Sequence, residues 1–480
     1  MSEQNYFSYV RTPEGTKPVR DVYTREIAER NARKLSDLEN LYEYLNTSNT
    51  WFGCKWPIGN SNPEGTPVGN LLRLAHMQEI FKIGGYMVKN DHSRKKLFSG
   101  DHRHYEDGSD VDFTGADGHY QWGWGKDIYY AAWSDESYDY EAFDDRPIPG
   151  VPCVRIPVGS RSCAGYAALD RTSNTLCSYI NKTARYRGGN NSSWDGTYRS
   201  LIGKPVTNIG MPTLATYARK NGSMWFTTER VMIFITGALA RVFFHNRHLQ
   251  AAYNAQLTSD GLHQGGLGAG ADYPSNWTSS SAYAYNPYID LDAGIEKGDF
   301  TGLFSVTIKN SSDQDLVINN IPCFMGLKNF YKYLWAIEED ALLISQADGT
   351  QAMYVENAID GSAFNTSGAG THILVGYTPA HSSASWSPIK KISFDYLSGM
   401  PVEDGGTYET FYADGYYNPN VAANTVRGAI VLGSAGNGGY AGSCMLNGND
   451  APSHAHANGG AVLCEFVEAF NSQLSVLAEA

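Results

Sequence analysis

SAGNGGYAGSCMLNGNDAPSHAHANGG, residues 434–460, is the stretch on which the reading of this chain turns. Gly (7), Ala (5), Asn (4) and Ser (3) fill 19 of its 27 positions. The whole chain is 18 % charged, yet here the only charged residue is Asp450, and Lys, Arg, Glu, Gln and Trp are absent. That composition would suit a flexible linker. The flanks argue against one, because the strand-like runs Ala429–Leu432 and Ala461–Phe466 bracket the stretch tightly and set it inside a domain. An ordinary surface loop and a diversified binding surface are the two readings left.

Codon chemistry supports the second and leaves the first open. Asn codons altered at their adenines, with the third-base pyrimidine kept, yield Asn, Ser, Gly, Ala, Asp, His, Tyr, Thr, Cys, Leu and Pro among others. They never yield Lys, Glu, Gln, Trp or Met. Every residue of 434–460 except Met445 belongs to that set, and Met445 therefore reads as a scaffold position. The accessible set is rich in the small, amide and tyrosine side chains that paratopes use. Ala455 and Ala457 alternate with His454 and His456, so they face inward if this piece is a strand.

Outward from the segment, the C-terminal half shows further strand-like pieces: Phe304–Ile308, Leu316–Ile321 and Ile392–Phe394. A helix is expected from about Thr228 to Gln256, its apolar stretch Val231–Phe244 too short to span a bilayer. A Gly-rich turn follows at 261–270. Before residue 225 the chain mixes helix and short strands. Ile27, Ala28, Ala32, Leu35, Leu38, Leu41 and Leu45 recur at helical spacing and mark an amphipathic helix, packed on its own domain or forming an oligomer seam. A second helix, Leu71 to Ile83, stops at Gly84–Gly85. Residues 100–225 read as short strands, Val151–Val158 among them, joined by long loops. The expected organisation is an α+β protein with a mixed region at 1–225 and a second domain at 226–480.

With 480 residues, 42 % hydrophobic content and 37 basic against 50 acidic side chains, the chain has ample core and a net charge of −13. An acidic protein gains nothing from phosphate neutralisation, which argues against nucleic acid and anionic membranes as partners. Seven cysteines, odd in number and without a CxxC pair, argue for reduced thiols rather than a disulfide framework. The N-terminus MSEQNYFSYVRTPEG has no signal-peptide pattern, so assembly in the cytoplasm is expected.

Catalytic and metal motifs were weighed and set aside. Gly265–Gly270 lacks the context of a phosphate loop. Asp107, Asp110, Asp112 and Asp117 form an acidic loop without EF-hand spacing, which leaves a calcium ion open there. His102 and His104 form an HxH pair without an identifiable third ligand. No nucleophile-elbow serine occurs. No cofactor, catalytic residue or metal site is assigned.

Beyond 434–460, several blocks carry a resemblance. They are Phe244 to Asn254 followed by Gly261 to Gly270, Pro322 to Asn329 with Leu334-Trp335, and Tyr412 to Tyr417 with Arg427 and Gly433 leading into the segment. Leu463-Cys464-Glu465-Phe466 closes it. In these blocks the chain resembles the variable proteins of diversity-generating retroelements, of the Bacteroides phage and prophage type, a family related to the major tropism determinant adhesins of phage tails. The resemblance spans roughly 226–480 and is weak or absent before that. It implies a C-type-lectin-like fold of the formylglycine-generating-enzyme subtype, homotrimeric assembly, and location at a phage tail among other tail components. It also implies the variable positions Ser434, Gly436, Asn437, Gly438, Tyr440, Ser443, Cys444, Asn447, Asn449, Asp450, Ser453, His454, His456 and Asn458, set on exposed backbone. Two departures limit the carry-over. The chain lacks the close cysteine pair of the formylglycine-generating enzymes, and it lacks the EPN, QPD and WND signatures of calcium-dependent lectins, so neither activity is implied. The function expected is receptor binding, without catalysis, to a host-cell surface protein or glycan. The alternatives are a polysaccharide depolymerase acting from Asp101–Tyr140 and a purely structural tail component. The histidine pair raises the further expectation of pH-sensitive binding.

Overall fold

The structure is a computed structural model that describes residues 50–253 and 288–475, apart from gaps within 190–199 and 310–314 and at 332, 371 and 408. It also describes two short N-terminal strands, Tyr9–Thr12 and Gly15–Pro18, which pair antiparallel as a hairpin. The helix expected over residues 25–45 and the Gly-rich turn at 261–270 lie outside the described residues. The chain divides at Thr50/Trp51 into two compact units, the second running from Trp51 to Ala480.

Among the described residues helix accounts for 14 % and strand for 37 %, with a nearly closed sandwich or barrel of sheet, in keeping with an α+β class. One long helix, Arg230–Phe244, lies deep in the larger unit, and every residue from Arg230 to Val242 is buried. Apart from Arg230, Thr236 and Arg241 it is apolar, as suits a helix enclosed on all sides. Glu229 starts it, its carboxylate accepting the N–H groups of Val231 (3.0 Å) and Met232 (2.7 Å). His245 ends it in the left-handed region at φ 53°. The single helix expected from Thr228 to Gln256 is thus two, Arg230–Phe244 and Leu249–Tyr253. Leu71–Ile83 is likewise split, into Leu71–Ala75 and Met77–Phe81, with a strand beginning at Gly84.

Three large sheets make up the larger unit. The five-stranded sheet orders its strands Cys153–Ile156, Ile128–Ser134, Tyr138–Asp144, Phe52–Pro57, Thr66–Gly69. The six-stranded sheet runs Trp225–Thr227, Leu463–Phe466, Gly159–Ser162, His119–Trp124, Gly84–Val88, Arg94–Lys96. All six residues of His119–Trp124 are buried, so this strand is covered on both faces. The nine-stranded sheet includes Trp335–Ser345, Val426–Val431, Leu446–Asn447, Gly415–Asn418 and Ser385–Ile392.

The boundary expected near residue 225 falls inside this unit. Leu463–Phe466 inserts between two sequence-distant strands, with Gly159 opposite Phe466 and Trp225 opposite Glu465. Burial of Glu465 on this closing strand is compensated by Arg94 (2.7 Å), His92 (2.9 Å) and the Ser160 hydroxyl (2.5 Å). Composition shifts along the chain do not register such pairings.

Candidate functional site

The segment 434–460 is secured in the scaffold at two places. Leu446–Asn447 forms a short strand, parallel to Tyr416–Tyr417 on one side and antiparallel to Ile430 on the other. Gly459–Gly460 pairs parallel with Trp335–Ala336. Between them, 448–458 is a loop of turns. Before them, a short 3-10 turn over Ala435–Tyr440 is closed by reciprocal Ser434–Asn437 capping.

The inner half, up to Gly448, is packed from below. Gly237 of the long helix lets it approach, for a Cβ there would meet the Ser443 hydroxyl at 2.7 Å. The Gln250 amide donates to the carbonyls of Gly438 (3.1 Å) and Ala441. Arg241 holds Glu141 in a two-point pair (3.0 and 2.8 Å) and turns its remaining nitrogen to the Cys444 sulfur at 3.2 Å. Asp414 accepts the Cys444 N–H at 2.7 Å, and Gly442 is required because a Cβ would collide with the same carboxylate. Burial pushes the Asp414 carboxyl up to about 7 and the Cys444 thiol up to about 12. A buried, protonated thiol is a poor nucleophile, so Cys444 is a packing residue. All seven cysteines are buried, and none is joined in a disulfide.

The fourteen candidate positions therefore separate. Asn449 and Ser453 are exposed, and Asn437, Tyr440, Ser443, Asp450, His454 and His456 are half-buried. Ser434, Gly438, Cys444, Asn447 and Asn458 are buried, contrary to the expectation of exposed backbone for all. Gly436 lies within the 3-10 turn. Residues 451–458 are turn and coil rather than strand, so the inward pair is not realised: Ala457 is buried while Ala455 is exposed. Met445, at 1 % exposure, sits in the core against Gly433. The His454 and His456 rings lie 3.7 Å apart, and burial together with the His454 charge lowers the His456 pKa. His454 also stands 3.8 Å from Asp450.

Beside this loop Tyr440 joins three aromatic side chains that the candidate positions do not include. Trp335, Trp386, Tyr417 and Tyr440 are all half-buried. Trp386 is near-parallel to Tyr440 (5.2 Å, 24°) and to Trp335 (6.2 Å, 12°), and it contacts Tyr417 at 5.0 Å. The sheet sets this up: Trp386 is opposite Tyr417 and Tyr417 opposite Asn447, which puts one row of side chains on one face. Tyr440 lies over Gly415, where a Cβ would meet its ring at 2.6 Å. On the other flank, Met211 donates its N–H to the Pro452 carbonyl at 3.1 Å. Met211 also lines a cleft of about 310 Å³ with Pro212, Ala215, Arg219, Glu339 and Phe364. The sequence trace of those three is the presence of Trp335 and Tyr417 in the blocks that carry the resemblance.

The other weighed motifs have local partners. Asp107 and Asp112 accept the N–H groups of Ser109 (2.9 Å) and Thr114 (2.7 Å), and Asp117 takes the Asp112 N–H and the Tyr105 hydroxyl, both at 2.8 Å. His102 is buried between Asp299 (2.8 Å) and Tyr120 (2.7 Å), whereas His104 faces Asp110 at 3.0 Å, so the HxH pair diverges. Among the described residues no three His, Cys, Asp or Glu side chains converge on a point where a metal could sit. Within Asp101–Tyr140, the indoles of Trp122 and Trp124 are buried on backbone carbonyls, and Asp135 and Asp139 are bonded to Tyr140 and Ser134. Among the described residues no helix is long and apolar enough to cross a membrane.

No protein-family model matches the chain, and no curated protein matches it.

Proposed function

We propose that this chain is a phage receptor-binding protein of the diversity-generating-retroelement variable type, built on a C-type-lectin-like fold of the formylglycine-generating-enzyme subtype. Its ligand surface is the outer half of 434–460, Asn449 to His456, together with Asn437 and Tyr440. One observation carries the reading. A loop of nearly uncharged, adenine-accessible residues is gripped at Leu446–Asn447 and at Gly459–Gly460, so its exposed side chains change without disturbing the sheet. Host-cell surface proteins or glycans are the proposed targets, and homotrimeric assembly with tail components would add avidity.

The test is nucleotide sequencing around the gene in several isolates. The expected result is an imperfect copy of the codons for 415–465, differing only where the copy has adenine, beside a reverse transcriptase gene. An invariant segment with no such copy would overturn programmed diversification. Cell-binding assays then test the surface: combined alanine substitution of Tyr440, Asn449, His454 and His456 should abolish binding to host cells at unchanged thermal stability.

A further inference from the structure

The aromatic group at the edge of the loop narrows the class of ligand, given the binding role proposed above. Trp335 and Ile337 are half-buried while Ala336 between them is buried, so both face outward from their strand. Ile337 is paired with Ile430, Ile430 with Asn447, Asn447 with Tyr417 and Tyr417 with Trp386. One continuous row of side chains therefore crosses five strands, and Tyr440 is stacked on its end. Three of the rings, Trp335, Trp386 and Tyr417, belong to scaffold strands outside 434–460, and only Tyr440 comes from the segment. Ring-to-ring packing and the bare backbone of Gly415 fix the orientation of these rings before any ligand arrives.

An aromatic face carries a negative quadrupole and attracts the weakly positive C–H hydrogens of a saturated ring. Amide side chains both donate and accept, which matches hydroxyl groups that do the same. The segment supplies Asn437 and Asn449 at its surface, and it contains no Lys or Arg to neutralise an anionic group. The chain's charge of −13 further disfavours acidic ligands. A protein epitope would bring charges of both signs, and Asp450 is the only charged residue of the segment that could answer them.

We infer that the platform of Trp335, Trp386, Tyr417 and Tyr440 binds the ring faces of a neutral polysaccharide, with the variable amides and hydroxyls around it choosing among sugars. The platform is a constant element of recognition, and Tyr440 is the point at which diversification reaches it.

The experiment is affinity electrophoresis of the full chain in gels containing dextran, mannan, galactomannan, bacterial capsular extract or polygalacturonate. Retardation by at least one neutral polymer is expected, with none by polygalacturonate. Trp386→Ala should weaken it about tenfold or more, as loss of an aromatic hot spot does, and Trp386→Tyr should restore part of it. Tyr440→Ala, at a surface turn, repeats the test where Trp386→Ala fails to fold. Failure of every neutral polymer and extract to retard the protein, or retardation indifferent to both variants, overturns the inference. A parallel assay on bacterial cells separates this from failure of the receptor-binding reading. Adhesion lost after periodate treatment supports a glycan. Adhesion lost only after protease treatment overturns the glycan and leaves receptor binding standing.

Discussion

Gly, Ala, Asn and Ser dominate both halves of 434–460, 11 of the 15 residues up to Gly448 and 8 of the 12 after it, yet the two halves have different surroundings. Ala441, Gly442, Cys444, Met445 and Leu446 are enclosed by the long helix, Asp414 and the nine-stranded sheet. Asn449, Ser453 and Ala455 meet solvent, and His454 and His456 lie half-exposed beside them. Small, uncharged residues serve both purposes. In the inner half they permit close approach, as Gly442 does beneath Asp414, and in the outer half they leave room and hydrogen-bonding capacity for a ligand. Composition alone therefore does not tell a binding loop from a tightly packed one.

Four measurements would break or sharpen this contrast. The largest effect belongs under the inner half. Arg241→Ala strands the buried Glu141 carboxylate and removes the contact to Cys444, which should cost ~3–5 kcal/mol in urea unfolding. A loss near zero would mean that the inner half does not rest on this pair.

Next comes Asp414. Its folded pKa is raised to about 7, so the native state holds a proton that an unfolded Asp gives up near pH ~3.9. Stability from this group is full below the unfolded value and declines as pH rises through about 7. Asp414→Asn keeps the acceptor for Cys444 and should abolish that decline, gaining roughly 2–4 kcal/mol at pH 8. Parallel stability–pH curves for the two proteins would refute the assignment.

His456, in the outer half, should act with the opposite sign. Its folded pKa is lowered, so its contribution is present above the unfolded value of ~6.5 and is lost as pH falls through the folded value. In His456→Asn that acid-side loss should shrink, by less than the Asp414 effect because the side chain is half-exposed. Smallest of all, Asn449→Ala and Ser453→Ala should each change stability by no more than ~0.5 kcal/mol. A larger change at either would make the outer half structural as well.

What the sequence made legible were elements with a strong local signature. The apolar run Val231–Phe244 is the buried helix, and Phe304–Ile308 and Leu316–Ile321 lie within the paired strands Gly302–Lys309 and Asp315–Phe324. Two kinds of feature were hidden. Pairing of Leu463–Phe466 with Gly159–Arg161 joins residues about 300 positions apart, and no periodicity records it. The side-chain period of two was applied to 454–457, where turns set the orientation instead. Trp335, Trp386 and Tyr417 go unassigned beside the candidate Tyr440 because the four rings come from separate chain segments and meet only when the nine-stranded sheet forms. Of the fourteen candidate positions, burial removes five from solvent, which local pattern could not anticipate.

The placement of Leu463–Phe466 bears on how errors in the segment are dealt with. Every other strand of its sheet is synthesised earlier, so on the ribosome the sheet waits with a gap between Gly159–Ser162 and Trp225–Thr227. A chain that terminates or shifts frame anywhere in 434–460 never delivers the missing strand, leaving two unpaired edges and an incomplete core. An unfilled sheet of this kind lowers stability and exposes a chain to proteolysis. Reading through 434–460 in frame is thus a condition for closing the six-stranded sheet.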